Sequence, residues 1–187
     1  LLHITAPGGY RKLHAGQQVA MKKLIVPLNE AGSARTIRGS RIEREVAMLK
    51  SFRHPFIVAC YGVLQLDNST LGILMEYCAG NSLRNRYLVQ GEKRPFSNAA
   101  AAKCTAQMLH GLKYLHGKGV VHRDIKGLNA LLSEDGSTCK LADFGSAVDI
   151  ARENDQQFHS VQGSLYWMSP EVYQLSKEQG GSYSADI

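Results

Sequence analysis

The sequence has little of what marks several classes of protein. It contains four cysteines in 187 residues. None forms a C-x-x-C pair or completes a zinc spacing with histidine, which excludes a disulfide scaffold and a zinc module. No apolar run is long enough to span a membrane, and the first residues lack the pattern of a signal peptide. We therefore expect four free thiols, no membrane span and a cytoplasmic location, with the nucleus as the alternative.

Charge of one sign is not concentrated anywhere in the chain. Lys and Arg number 22 against 16 Asp and Glu, so the net charge is +6. A basic balance permits nucleic acid, membrane surfaces or phosphate-rich ligands as partners. Because no Lys/Arg block occurs, a solvated basic surface is the simpler interpretation, and no nucleic-acid partner is expected. The sequence gives no indication of an oligomeric state.

Residue patterns predict a β-rich first part and a helical second part. Strand-like runs cover residues 18–26, 56–66 and 71–77. Helical spacing of apolar residues covers residues 41–51, and a short helix is predicted over 82–89. No internal repeat or low-complexity segment interrupts this order.

A long helix is predicted to begin after Ser97, a good N-cap residue, and to end at His116. Its predicted core face contains Ala102, Thr105, Leu109, Leu112 and Leu115 or His116. The polar residues Lys103, Gln107, His110 and Lys113 lie largely on the other side.

A predicted β-hairpin places polar residues together after this helix. Strand-like runs flank the turn residues 133–137, and both Asn129 and Asp143 lie seven residues from Gly136. Folding the chain about Gly136 therefore predicts that Asn129 lies opposite Asp143, with Asp124 a short loop away. Amide and carboxylate oxygens in this arrangement suit a hard cation such as Mg²⁺.

The order of these residues resembles the catalytic core of the protein kinases. His-Arg-Asp at residues 122–124, Asn129, and Asp-Phe-Gly at residues 143–145 occur in the family's order. Each motif alone would more often be structural, but the combination favours the family. Tyr-Trp-Met before Pro170-Glu171 and Asp-Ile-Lys-Gly before Asn129 resemble the MAP kinase kinase kinase-like group, which acts upstream in MAP-kinase cascades.

The resemblance implies an α+β, bilobal protein kinase-like fold. It places a β-rich small lobe at about residues 10–77, a hinge at 78–81 and a mainly helical large lobe at 82–187. A glycine-rich phosphate loop is not recognisable around Gly8-Gly9, and residues 183–187 resemble the start of a central helix. We therefore expect a kinase domain truncated at both ends, with Asp186 bracing the catalytic loop.

The resemblance also implies Mg-ATP-dependent phosphoryl transfer to Ser/Thr of a protein. Lys22 would hold the α- and β-phosphates, with Glu45 as its ion-pair partner. Asp124 would accept the proton of the substrate hydroxyl, while Asn129 and Asp143 would hold Mg²⁺.

Further residues acquire roles by the same resemblance. Lys126 would reach the γ-phosphate, as in serine/threonine-directed kinases. The residues implied to bind the rest of ATP are Ala20, Met75, Glu76, Cys78 and Leu131. Arg123 would pair with a phosphate on the activation segment, where Ser160 and Ser164 are candidate phosphosites. Ser164 could equally be a structural residue that contacts Asp124.

The expected partner is a protein substrate, with a downstream kinase as one candidate. Three other functions remain open at this point. They are a non-catalytic pseudokinase or scaffold that binds a protein partner, a small-molecule phosphotransferase with the same Asp-x-x-x-x-Asn chemistry, and a nucleic-acid binder. The absent glycine-rich loop argues for a scaffold. Five intact residues argue against it, namely Lys22, Glu45, Asp124, Asn129 and Asp143.

Overall fold

A computed structural model describes most of the chain. It covers residues 13–14, 16–25, 41–67, 69–89, 92–93, 95–150, 163–174 and 183–187. For residues 41–45, 89, 171, 174 and 184 it describes the backbone alone. The chain divides into two compact units, one of Leu1–His54 and Val58–Tyr77 and one of Pro55–Ile57 and Cys78–Ile187.

The first unit is built on an antiparallel sheet. Its elements are β1 (Val19–Ile25), α1 (Arg41–Ser51), β2 (Cys60–Asp67) and β3 (Thr70–Glu76), with sheet order β1-β3-β2. From Ala20 to Ile25 along β1, half-buried Ala20, Lys22 and Leu24 alternate with exposed residues, as the period of a strand requires. The β2–β3 turn is closed by Asp67, whose carboxylate accepts the Ser69 N–H at 2.8 Å.

One predicted strand begins later than expected. The pattern predicted a strand over 56–66, but β2 begins at Cys60. The backbone just before β2 bonds to a later part of the chain instead, since the Phe56 carbonyl accepts the Leu141 N–H at 2.9 Å and Ile57 forms a bridge with Leu141. These residues therefore belong to the second unit, which apolar patterning could not indicate.

The second unit is mainly helical with short strand pairs. Its helices are α2 (Leu83–Tyr87), α3 (Asn98–His116) and α4 (Pro170–Gln174), with 3₁₀ turns at Leu165–Trp167 and Tyr183–Asp186. Its strands are β4 (Leu88–Val89), β5 (Glu92–Lys93), β6 (Val120–Val121), β7 (Ala130–Leu132), β8 (Cys139–Leu141) and β9 (Val148–Asp149). The pairs are β4–β5, β6–β9 and β7–β8.

Local signals fix the helix ends in this unit. Ser97 caps α3 by accepting the Ala100 N–H at 3.2 Å, as predicted from its side chain. Ser82 caps α2 in the same way through Asn85. The predicted helix over 82–89 ends at Tyr87, because Leu88–Val89 pairs with Glu92–Lys93 as a short hairpin.

The predicted core face of α3 was partly wrong. Leu112 and Leu115 are buried, but Ala102, Thr105 and Leu109 are exposed. The helix packs through Cys104 and Met108 against the β7–β8 hairpin, where Ala130, Leu132 and Cys139 are buried. The buried stripe is therefore rotated from the predicted one. None of the four cysteines, Cys60, Cys78, Cys104 and Cys139, all of them described, is in a disulfide, as predicted.

Among the helices that the structure describes, none combines the length and apolar character needed to span a bilayer.

Candidate active site

Asp124 lies in the loop between β6 and β7, and three other side chains hold its carboxylate. Lys126 Nζ lies 2.6 Å from Asp124 Oδ2, and Asn129 Nδ2 donates to the same oxygen at 2.9 Å. Ser164 Oγ donates to Asp124 Oδ1 at 2.9 Å and accepts from Lys126 Nζ at 2.6 Å. The Asp124 side chain is only 11% exposed, so these bonds fix it in one orientation.

The Asp124 carboxyl group is maintained in its ionised form. Desolvation is the largest single influence on its pKa and opposes ionisation. Hydrogen bonds from Lys126, Ser164 and Asn129, together with the charge of Lys126, outweigh it, and the pKa lies below the ordinary 3.8. At neutral pH the group is therefore an oriented anion with a lone pair on Oδ1 left to accept a further hydroxyl.

The β7–β8 hairpin brings Asn129 close to Asp143. The Ala142 N–H donates to the Asn129 carbonyl at 2.9 Å, and β7 pairs with β8 in the register Ala130↔Leu141. Asn129 therefore faces Ala142, and the predicted alignment with Asp143 was wrong by one residue. The reason is the turn, since Ser133 bonds to Thr138 and the centre of the loop lies between Asp135 and Gly136 rather than at Gly136.

The donor set at the end of this hairpin fits a magnesium ion. Asn129 uses its Nδ2 to bond the Asp124 carbonyl at 2.8 Å and the Asp124 carboxylate, which directs its amide oxygen to the opposite side. Asp143 is exposed and adopts φ 61°. An amide oxygen and an accessible carboxylate are hard ligands of the type that Mg²⁺ binds together with phosphate oxygens.

Asp186 clamps the backbone of the loop that precedes Asp124. Its Oδ2 accepts the His122 N–H and its Oδ1 the Arg123 N–H, each at 2.7 Å. His116 Nε2 at the end of α3 lies 2.9 Å from Asp186 Oδ2. This clamp holds Arg123 at φ 64°, a left-handed conformation that a non-glycine residue rarely adopts unaided.

His122 is a buried neutral packing residue. Its ring lies 5.0 Å from that of Phe144, and burial lowers its pKa below the ordinary 6.5. His122 Nε2 lies 3.0 Å from the Ala142 carbonyl, which can only accept, so the proton is assigned to Nε2. His122 Nδ1 then accepts the Asp124 N–H at 3.3 Å, which orients the loop at Asp124.

Two of the three predicted regulatory residues lie among the described residues at this site. Ser164 lies against Asp124 and Lys126, so the structural alternative for Ser164 is realised, and its phosphorylation stays a prediction. Arg123 Nε donates to the Ser146 carbonyl at 2.7 Å. Ser160 lies outside the described residues.

Predicted nucleotide-binding residues of the first unit lie on neighbouring strands. Ala20 pairs with Met75 across β1 and β3, and Lys22 is half-buried on the same face of β1 as Ala20. Glu76 bonds to Ala59 through both its backbone and its side chain. Glu45 lies on α1 and its side chain is outside the description, so the Lys22–Glu45 ion pair stays a prediction.

In the second unit the remaining predicted residues are half-buried. Leu131 lies on β7 and forms an isolated bridge with Ser82, and Cys78 directly follows the division between the units. The assignment of residues 78–81 as a hinge stays a prediction.

Sequence reasoning missed one residue that supports the site. Gln107 was placed on the solvent side of α3, but its side-chain amide bonds to the backbone of the β7–β8 hairpin. No sequence signal identifies it, since a glutamine among lysines and histidines on a helix is typical of an exposed face.

The whole chain was compared with known proteins. The protein kinase domain family matches residues 9–187. Mitogen-activated protein kinase kinase kinase ANP1 of Arabidopsis thaliana is 37% identical over 177 residues, which are 94% of this chain and 25% of that protein. Cell division control protein 7 of Schizosaccharomyces pombe is 43% identical over 180 residues, 95% of this chain and 15% of that protein.

A human protein gives a similar result. Mitogen-activated protein kinase kinase kinase kinase 3 of Homo sapiens is 40% identical over 177 residues, 95% of this chain and 18% of that protein. The chain thus spans a quarter or less of the length of these three relatives. The match over residues 9–187 confirms the predicted family and α+β fold class, and the chain belongs to the protein kinase domain family.

Proposed function

We propose that this chain is the catalytic part of a protein serine/threonine kinase that transfers the γ-phosphoryl group of Mg-ATP within a MAP-kinase-type cascade. The arrangement of Asp124 supports this proposal most directly. An ionised carboxylate is held by a lysine, a serine and an asparagine, and the same asparagine precedes a hairpin that ends at Asp143.

In this proposal Asp124 orients the hydroxyl of the substrate. Its lowered pKa makes it a weak base, so it would accept a hydrogen bond first and the proton only as the oxygen–phosphorus bond forms. Lys126, 2.6 Å from Asp124, would meet the negative charge of the transferring phosphoryl group at the position where the hydroxyl is held.

The remaining roles follow the family pattern. Asn129 and Asp143 would hold Mg²⁺, and a bound Mg²⁺ ion would neutralise part of the negative charge of the phosphates. Lys22 would bind the α- and β-phosphates, with Glu45 as its partner. Ala20, Met75, Glu76, Cys78 and Leu131 would surround the adenine.

The upstream position in a cascade rests on the relatives. Two of those described are named as kinases that act in series above a mitogen-activated protein kinase. The lysine at position 126 supports Ser/Thr rather than Tyr as acceptor. Peptides with a single Ser, Thr or Tyr test this choice, and transfer to the Tyr peptide alone would contradict it.

The proposal is tested by replacing Asp124 while preserving its shape. Asp124→Asn removes the charge, and we expect Mg-ATP-dependent transfer to a protein acceptor to fall about 100-fold or more while ATP binding is retained. Asp135→Asn is the matched control. Asp135 is an exposed turn residue whose pKa is lowered to about 2 by Ser133 and Ser137, and its asparagine variant keeps an acceptor.

Two results would contradict the assignment. Activity retained in Asp124→Asn at the level of Asp135→Asn would remove the proposed role of Asp124. Absence of both nucleotide binding and transfer in the folded unmodified chain would favour the scaffold interpretation instead.

Chelation of Mg²⁺ should abolish transfer without lowering the melting temperature in the absence of nucleotide.

A further inference from the structure

Gln107 connects α3 to the hairpin that ends in the predicted metal ligands. The Cys139 N–H donates to Gln107 Oε1 at 2.7 Å, and Gln107 Nε2 donates to the Ser137 carbonyl at 3.2 Å. A side-chain amide presents one acceptor and two donors in a plane. It therefore pairs with the carbonyl and the N–H of alternate residues as a neighbouring strand would.

These bonds fall on the outer edge of β8. Its inner edge pairs with β7, as the Ser133–Thr138 and Asn129–Ala142 bonds on either side of it show. The N–H groups of Cys139 and Leu141 point outward, where they are bound by Gln107 and by the Phe56 carbonyl. A strand of three residues is thus fixed along both edges.

β8 determines where Asp143 lies. Leu141 is its last residue, and Ala142, bonded to Asn129, is the single residue between the strand and Asp143. Displacement of β8 along or away from β7 would therefore shift Asp143 relative to Asn129. The Cys104 contact of α3 with Ala130, Leu132 and Cys139 is apolar and gives the outer edge of β8 no hydrogen bond.

We infer that Gln107 is a positioning residue, which holds the outer edge of β8 in place so that Asp143 and Asn129 meet one Mg²⁺ ion. This rests on the proposed function for the metal but concerns a residue that touches neither metal nor substrate. Gln107 acts through two hydrogen bonds to the hairpin backbone.

The test compares Gln107→Met, which keeps the length and removes both bonds, with Lys103→Met at an exposed position one turn earlier on the same helix. In Gln107→Met we expect amide hydrogen exchange at Ala142 to rise about fivefold, the effect of losing an ordinary hydrogen bond. The Mg²⁺ concentration for half-maximal transfer should rise by about the same factor, with the KM for the protein acceptor unchanged. Both quantities should stay within about twofold in Lys103→Met.

Gln107→Glu keeps the acceptor for the Cys139 N–H and loses the donor to Ser137, so it should be intermediate. It also serves if Gln107→Met fails to fold. Faster exchange confined to the Cys139 amide, or equal changes in Lys103→Met, would overturn the positioning role. If the unmodified chain shows no Mg-dependent transfer, the proposed function fails, while the exchange at Ala142 still decides the role of Gln107.

Discussion

Ser164 and Lys126 both bind the Asp124 carboxylate, and both lower its pKa. The Ser164 hydroxyl donates to one carboxylate oxygen of Asp124 and accepts from the lysine that binds the other oxygen. The three side chains form a closed ring in which each member fixes the next. A phosphate on Ser164 would place negative charge against Asp124, so modification there would disrupt this arrangement.

Ser164→Ala is expected to lower stability by about 1 kcal/mol at neutral pH, because Asp124 loses a hydrogen bond. The ionised Asp124 stabilises the fold fully above its ordinary pKa of 3.8, and this contribution is lost as the pH falls through its lower folded-state pKa. Removing the Ser164 bond raises that pKa toward 3.8. The stability difference between the variant and the unmodified chain should therefore shrink as the pH falls below about 3.8 and vanish once the pH is below the lower folded-state pKa of Asp124.

Denaturant unfolding across that pH range measures this difference, and Ser164→Thr, which keeps the hydroxyl, is the control. A difference that is independent of pH would show that Ser164 acts through packing rather than through the Asp124 carboxylate.

At the level of single residues the sequence predicts groups whose chemistry is local. Asp124, Lys126 and Asn129 lie within six positions of one another, so their convergence follows from a short loop. The contact of Ser164 with Asp124 spans 40 residues and was one of two open alternatives. Gln107 was not predictable, because its partners are backbone groups that any sequence offers.

The β7–β8 hairpin depends on a glycine at a distance in sequence. Gly80 donates its N–H to the Leu132 carbonyl at 3.0 Å and packs against the Ser133 carbonyl. A Cβ at Gly80 would collide with that carbonyl and approach Leu132 Cβ to 2.9 Å. The segment after Cys78 can therefore lie along the hairpin only because position 80 has no side chain.

Gly80→Ala should destabilise the chain by about 1–3 kcal/mol, the usual cost of overpacking a site bounded by backbone. Gly117→Ala is the matched control. Gly117 has φ −65° at the end of α3, and its nearest atom to an added Cβ is 3.3 Å away. Melting temperatures of the two variants measure the effect. Equal shifts would show that the backbone at Gly80 moves away from the Ser133 carbonyl at little cost.

Element boundaries were predictable where a local signal sets them. Ser97 marks the start of α3, and alternation marks β1. The start of β2 could not be predicted, because Phe56 and Ile57 bond to Leu141 rather than to the sheet of the first unit. The hairpin register was missed by one residue, because a four-residue loop has no central residue.

On the scale of the whole molecule, Asp186 holds the loop before Asp124 from 63 to 64 positions further along the chain. Asp186→Ala would leave the N–H groups of His122 and Arg123 and the ring of His116 without this acceptor. We expect a loss of about 3–5 kcal/mol, as for a buried charged partner, together with a loss of transfer.

Unfolding free energies of Asp186→Ala and Asp186→Asn measure this effect. Asparagine keeps one acceptor oxygen and should fall between alanine and the unmodified chain. An alanine variant of unchanged stability and activity would show that the loop holds its conformation without the clamp.

The α+β class and the family were readable from motif order, whereas the resemblance rather than any pattern in the sequence pointed to the bracing role of Asp186. The Asp186 carboxylate accepts the N–H groups of both His122 and Arg123, and His122 lies 64 positions before it, so no local pattern indicates the contact.

That separation has a consequence for synthesis on the ribosome. The segment around Asp124 emerges from the ribosome well before Asp186. Until Asp186 follows, the His122 and Arg123 N–H groups lack this acceptor, and nothing from Asp186 stabilises the left-handed conformation of Arg123. Contacts so distant in sequence form late in folding. We therefore expect the loop that carries Asp124 to reach its final conformation only after Asp186 has been synthesised.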